Sequence, residues 1–276
     1  MDTLSPALWV MLVTFLLSLG ALAGFLAGLL GIGGGLVLVP GLYFGFQFLG
    51  FESATLMHVA VGTSLAVIIP TGISSARAHH KRGAVRFDLV RRLGPGIVLG
   101  VGLGTLIAAR IEEQAMTLFF GFALACLALL MVSNPARFKI ADDVPKQPWA
   151  SCAGGAIGVI SSLMGIGGAT VSVPFMTMCR VPIHTAVGTA SALGLVIAVP
   201  AAIGFVIIGW GQDGLPPFSL GYINLMAWPL IIPASVLAAP WGAKLAHSVS
   251  VDRLRKFFAA FLVVVAVKML WSAFDV

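Results

Sequence analysis

Gly31-Ile-Gly-Gly-Gly-Leu-Val-Leu-Val-Pro40 and Gly165-Ile-Gly-Gly-Ala-Thr-Val-Ser-Val-Pro174 are the stretches of this sequence best suited to chemistry. A glycine run inside an apolar segment breaks a helix. The break leaves backbone N–H groups without intrahelical partners, and the helix that follows carries a fractional positive charge at its N-terminus. Such a break attracts anions, and glycine also permits φ > 0 and close backbone approach. Gly33, Gly34 and Gly35 of the first motif and Gly167, Gly168, Ala169 and Thr170 of the second are therefore candidate anion-binding residues. The competing reading is that the glycines only let helices pack closely. Two copies, each with a proline six positions after its central glycine, favour the anion reading. A nucleotide loop is excluded, because no Gly-Lys-Ser/Thr follows and no parallel-sheet pattern surrounds either motif.

His58-Val-Ala-Val-Gly-Thr63 returns as His184-Thr-Ala-Val-Gly-Thr189. Thr63, Ser64, Thr189 and Ser191 can donate hydroxyl hydrogen bonds to anionic oxygens, the alternative being that they bond back to their own helix. His58 and His184 open equivalent segments. They are candidates for substrate ligands or proton carriers, since imidazole titrates near neutral pH, or for simple helix caps at the interface. Arg77 and His79 fit either an anion-gathering vestibule or a solvated orienting cluster, and Asn224, Trp228 and Lys244 are weaker candidates. All ten carboxylates fall in loops or at segment ends and none is expected mid-membrane, so proton or sodium coupling would have to run through histidine, backbone carbonyls or the substrate's own proton. Cys126, Cys152 and Cys179 lack metal-site or redox spacing and read as packing residues. Neither a metal nor another cofactor is expected. Without paired buried carboxylates or a nucleophile–base pair at short spacing, neither is an enzyme.

The elements that must position these residues are membrane helices. The chain is 59% hydrophobic and 9% charged, with mean hydropathy +1.05, where a soluble domain carries roughly 25% charged residues. Its net charge of +6 and pI near 9.7 are the Lys/Arg excess that orients membrane helices, and imply no nucleic-acid partner. Apolar runs are expected at about Ala7–Leu30, Leu36–Leu49, Ala54–Ala76, Leu93–Ala109, Ala115–Val132, Ala150–Leu163, Thr170–Met178, Thr185–Trp210, Ile223–Ala243 and Phe257–Trp271. The first is too long for a signal-peptide core and is expected to remain as a membrane segment. Those from Leu36, Ala150 and Thr170 fall short of the roughly 17–25 residues that a spanning helix needs.

The order of motifs shows an internal duplication. The glycine motifs are offset by 134, the Ala-Val-Gly-Thr stretches by 126, and Gly104 and Gly242 by 138. This predicts an N-terminal membrane repeat over 1–134, a cytoplasmic linker over 135–149 and a C-terminal repeat over 150–276. The loop from Arg77 to Arg92 holds six of the sixteen basic residues, and its counterpart from Gly211 to Pro217 holds none; the next pair of loops shows the reverse. Equivalent loops are thus expected on opposite sides, with both termini outside and fourteen Lys/Arg inside. The expected fold class is an all-α polytopic protein of two inverted-topology repeats. Each holds a glycine-broken hairpin or helix pair plus three spanning helices, about 8–10 membrane segments in all. That is a common build of secondary transporters, with the site where the broken segments meet.

The paired glycine motifs, the two Ala-Val-Gly-Thr stretches and Leu215-Pro-Pro-Phe-Ser-Leu-Gly-Tyr-Ile-Asn224 resemble the TauE/SafE family of sulfite and organosulfur-anion exporters, over about residues 8–273. The resemblance implies transport of a small anion such as sulfite, a sulfonate or sulfoacetate. Ala169 departs from the first copy's Gly35, which makes the two halves of the site unequal. The expected function is export of that anion across the inner membrane by alternating access, with the lipid bilayer as the other partner and no oligomeric state specified. A passive anion channel, or a carrier of a non-sulfur organic anion, is the alternative.

Overall fold

The structure, a computed structural model, describes residues 6–30, 34–51, 55–133, 139–246, 248 and 251–274. These residues form ten helices: α1 (Pro6–Leu30), α2 (Gly35–Phe48), α3 (Leu56–His80), α4 (Phe87–Ala108), α5 (Glu113–Val132), α6 (Trp149–Met164), α7 (Ala169–Met178), α8 (Ile183–Ile208), α9 (Ala227–Ala246) and α10 (Val251–Ser272). Trp9–Leu29 within α1, together with α3, α4, α5 and α8, is long and apolar enough to cross a membrane. The shorter apolar helices include α2, α6 and α7. One departure from an all-α chain is a two-stranded antiparallel hairpin, β1 (Ser219–Leu220) with β2 (Ile223–Asn224), ahead of α9. Its turn is made possible by Gly221, whose φ is 53°.

Ten residues at 1.5 Å each make α7 about 15 Å long, half the hydrocarbon thickness. α2 doubles back along α1: Gly34, Gly41 and Gly45 lie against Ala23, Leu19 and Phe15 in descending order. The first broken pair is therefore antiparallel, as both a fully crossing pair and a hairpin entering to mid-depth would be.

The remaining helices pack across the two sequence copies. α1 runs parallel to α9, with Gly20, Gly24 and Gly28 set directly on the backbone at Ile231, Ser235 and Ala239. α6 runs parallel to α4, with Gly154 and Gly158 on the backbone at Leu93 and Ile97. At the repeat offsets of 134 and 138, Gly24 on Ser235 is the counterpart of Gly158 on Ile97, and Gly242 on Phe25 the counterpart of Gly104 on Val159. α3 packs antiparallel to its own counterpart α8, Gly72 meeting Leu195 and Ser75 meeting Ser191. α5 packs on its counterpart α10.

Residues 139–148 of the linker dock beside the start of α4. Asp143 pairs with Arg86 at 3.4 Å and Arg92 at 3.5 Å, and the Gln147 amide donates to the Arg92 carbonyl at 2.7 Å. The Asp88 hydrogen bond is the largest of the contacts that raise the Arg86 guanidinium above its ordinary pKa. Exposed pairs of this kind contribute little singly, and the network chiefly sets where the linker lies.

Candidate functional site

Both helix breaks are built the same way. Gly34 (φ 78°) precedes α2 and Gly168 (φ 73°) precedes α7, both left-handed and both without a side-chain cap. Each carbonyl accepts the first two available helical N–H groups, Val37 and Leu38 at Gly34, Val171 and Ser172 at Gly168. Gly33 lies outside the described residues. The breaks meet in the interior: Gly35 sits on the Gly165 carbonyl and Ile166 with no space for a Cβ, and Ser64 Oγ donates to the Gly165 carbonyl at 2.8 Å. Gly194 of α8 approaches the Gly167 carbonyl. The structure thus gathers Gly35, Ser64, Gly167, Gly168, Ala169 and Thr170 around one junction, and close packing of glycine is part of how it does so.

The two left-handed glycines differ in what blocks them, which yields a test. A Cβ on Gly168 would strike only Ile197 Cδ1, the tip of a flexible side chain, whereas one on Gly34 would strike the Ala23 carbonyl. Gly168→Ala should lower the unfolding temperature, and Ile197→Val should restore part of the loss by removing that methyl. Gly34→Ala should have no such rescue. Equal recovery at both positions, measured by thermal unfolding in detergent, would contradict this packing.

Thr63 and Thr189 serve a different purpose. Thr63 Oγ1 accepts the Asn224 N–H at 2.9 Å, and Thr189 Oγ1 accepts the Arg86 N–H at 3.0 Å. The preceding Gly62 and Gly188 lie on the Tyr222 and Ala84 carbonyls. At offsets of 126 and 138 these contacts are equivalent, so each Ala-Val-Gly-Thr is a seat for the segment entering α9 or α4. Asn224 Oδ1 then accepts the Ala227 N–H at 2.9 Å, capping α9.

His58 is buried, its Nε2 3.1 Å from the Ala108 carbonyl at the end of α4 and its ring 5.1 Å from that of Tyr222. His184 is exposed at the start of α8. The two histidines therefore lie in unlike surroundings despite their equivalent positions. Ser191 bonds back to the Val187 carbonyl and meets Ser75 Oγ at 3.2 Å. His79 is buried with Nε2 2.9 Å from the Gly28 carbonyl, while Arg77 is exposed.

Ser161, Thr170 and Ser172 are the polar residues that the fold leaves unsatisfied at the junction. All three are at least 99% buried and, among the described residues, their hydroxyls have no hydrogen-bond partner. Other buried helix hydroxyls behave differently: Thr71, Thr105 and Thr117 each bond to the carbonyl four residues back. Leaving a buried hydroxyl unpaired costs about 1–3 kcal/mol, so each of the three calls for an explanation. Ser161 Oγ lies 3.7 Å from where a Cβ on Gly168 would stand, which places it at the mouth of the break. Ser161 and Ser172 were not evident as candidates from the repeat, because the repeat draws attention to what the copies share. Trp228 Nε1 is also buried without a partner.

A separate cavity of about 520 Å³ opens between α1, α2 and α10, lined by apolar side chains and by Lys268, whose ammonium lies 4.3 Å from the centre of the Phe44 ring. It offers nothing to pair with a small anion's several oxygens beyond that one cation. Among the described residues no group of three or more His, Cys, Asp or Glu is placed to hold a metal.

Comparison with known proteins bears on what this junction serves. A family model described as "Sulfite exporter TauE/SafE" matches residues 16–269. A "Probable membrane transporter protein" of Haemophilus influenzae is 39% identical over 254 residues, covering 92% of this chain and 96% of its own length. Another from Methanocaldococcus jannaschii is 28% identical over 265 residues, covering 95% and 97%. MamO of Magnetospirillum gryphiswaldense, also named a probable membrane transporter, is 26% identical over 92% of this chain but only 45% of its own length. No solved structure matches. With the family model spanning both glycine motifs and nearly all ten helices, this chain belongs to the TauE/SafE sulfite exporter family of membrane transporters.

Proposed function

We propose that this chain is a secondary transporter that exports a small sulfur-containing anion, of the sulfite, sulfonate or sulfoacetate type, across the inner membrane by alternating exposure of a central site. The observation that carries the reading is the junction of two broken helices, with uncapped α2 and α7 N-termini beside buried, unpartnered hydroxyls. Helix N-termini supply positive potential to an anion without a buried cation. Outward movement needs no coupling ion: one negative charge leaving an inside-negative cell at 100 mV releases roughly 2.3 kcal/mol.

An inverted repeat over 1–134 and 150–276 is part of the proposal. It is supported by the antiparallel packing of α3 on α8 and by the exchanged pairs α1 with α9 and α6 with α4. Docking of the linker on the basic Arg86–Arg92 segment is consistent with both lying in the cytoplasm, with the two termini outside. In a cysteine-free background, Lys81→Cys and Asp213→Cys, both at exposed loop positions, should label from opposite sides of the membrane. Labelling from one side would overturn the inverted arrangement.

For function, the protein in liposomes should show saturable, counterflow-stimulated uptake of labelled sulfite or sulfoacetate. Flux that rises linearly with concentration and ignores anion on the far side would indicate a channel. Preference for acetate over every sulfur anion would remove the assignment of substrate.

A further inference from the structure

We infer that the open groove between α1, α2 and α10 is a lipid site that takes one anionic phospholipid, its acyl chains along the apolar walls and its phosphate on Lys268. Nothing in this site depends on which anion the chain carries.

The first observation is the shape and lining of the groove. The cavity, about 520 Å³, is walled by Met11, Phe15 and Leu19 at four-residue steps along α1, and by Val264 and Lys268 at the same step on α10. Such steps keep each set on one helix face, so the groove runs along the helices and not across them. On α2 its lining extends from Val37 to Phe48, eleven rises of 1.5 Å or about 16 Å, the depth of one leaflet of the hydrocarbon layer. Phe15, Phe48 and Val264 are exposed. Exposed apolar walls on a membrane helix bundle are covered by acyl chains, the apolar material that surrounds it.

The second observation is the single cation set in that wall. α1 and α2 contain no Asp, Glu, Lys or Arg, and from Phe257 to the end of α10 Lys268 is the only one. Its Nζ lies 4.3 Å from the centre of the Phe44 ring, and among the described residues no carboxylate pairs with it. The ring attracts the ammonium, whose three N–H groups still need oxygen acceptors. The ends of α10 and α2 lie at one level: Gln114 Nε2 donates to the Ala273 carbonyl and the Leu56 N–H to the Glu113 carboxylate, so the start of α5 joins the end of α10 to the start of α3. Exposed Trp9 and Trp271 stand at that end and mark the membrane interface. Lys268, one turn inside Trp271, is thus at the depth of lipid headgroups. A lipid phosphate brings the missing acceptors, and a headgroup without an ammonium of its own leaves the attraction unopposed. A second copy docked by this face would bring another Lys268 and no carboxylate, because an isologous contact matches a patch with itself. The second sequence copy lacks the feature. At offsets of 134 and 138, Phe44 and Lys268 correspond to Met178 and Leu130, and the Met178 carbonyl accepts the Ile140 N–H at 3.0 Å, so the linker itself crosses that end of α7.

The test titrates phosphatidylglycerol and phosphatidylcholine with the same acyl chains into the detergent-purified full chain and counts bound lipids by native mass spectrometry. The parent should bind its first phosphatidylglycerol about fivefold more tightly than phosphatidylcholine, the preference expected of one lysine near a membrane surface. Lys268→Gln should bind both lipids alike, and Lys268→Arg should keep the preference. Val264→Trp, which fills the exposed wall, should weaken binding of either lipid by about tenfold or more. Val267→Trp, also exposed but off the groove, should match the parent. A preference that survives in Lys268→Gln, or a Val264→Trp protein that binds lipid as the parent does, would overturn the site. Displacement of the lipid by inorganic phosphate would do the same, since the acyl chains would then contribute nothing. A parent that is dimeric and becomes monomeric in Val264→Trp would make the groove a subunit contact and overturn the lipid as its occupant.

Discussion

Gly24→Leu and Gly158→Leu should each abolish recovery of folded protein, the largest single-residue effects expected in this chain. Gly24 lies on the Ser235 backbone and Gly158 on the Ile97 carbonyl, so any side chain forces two helices apart along their shared length. Overpacking a core costs about 1–3 kcal/mol when side chains can adjust. Here the obstacle is main chain, which cannot rotate away, and the loss also removes the close contacts that hold helices together where lipid offers no hydrophobic driving force. Gly102→Leu is the matching control, because nothing lies within 4 Å of a Cβ at that exposed position. Size-exclusion profiles in detergent should show aggregated material for the first two variants and a parent-like peak for the third. A monodisperse, transport-competent Gly24→Leu protein would mean that α1 and α9 are not paired in this register.

Thr63→Val and Thr189→Val should lower stability by about 1–3 kcal/mol each while leaving substrate half-saturation within about threefold. The valine keeps the shape of the side chain and strands the Asn224 or Arg86 N–H that the threonine oxygen accepts. The seats lie in different copies and share no partner, so the double variant should show the sum of the two losses. Thermal unfolding and counterflow on the same preparation separate the outcomes. An unchanged unfolding temperature with a ten- to hundredfold loss of affinity would return both hydroxyls to the substrate, the role that their place in the repeat first suggests.

Much of the architecture could be read from residue patterns. Segment lengths and composition set a polytopic helical chain, and the expected Leu36–Leu49 and Thr170–Met178 runs lie within a residue of α2 and α7. The left-handed glycines at the breaks were equally accessible, since glycine adopts φ near 75° without the steric cost a side chain would bring. The short β1–β2 hairpin escaped notice, because four residues between two apolar helices carry no periodicity.

What remained hidden depended on partners distant in the chain. Thr63 and Thr189 share a motif with the glycines of their seat, and nothing local says that the hydroxyl accepts an N–H 161 or 103 residues away. His58 and His184 occupy equivalent places in the repeat, yet one is buried against Tyr222 and the other exposed, since burial is set by which helices pack alongside. Ser161, Thr170 and Ser172 look like ordinary helix hydroxyls until every other donor and acceptor has been paired. Composition, segment length and repeat order are properties of the chain alone, and so membrane insertion, the duplication and the two breaks were decided there. Whether a hydroxyl is satisfied is a property of the packed interior, and only the fold could separate those that hold the helices together from those that find no partner among the described residues.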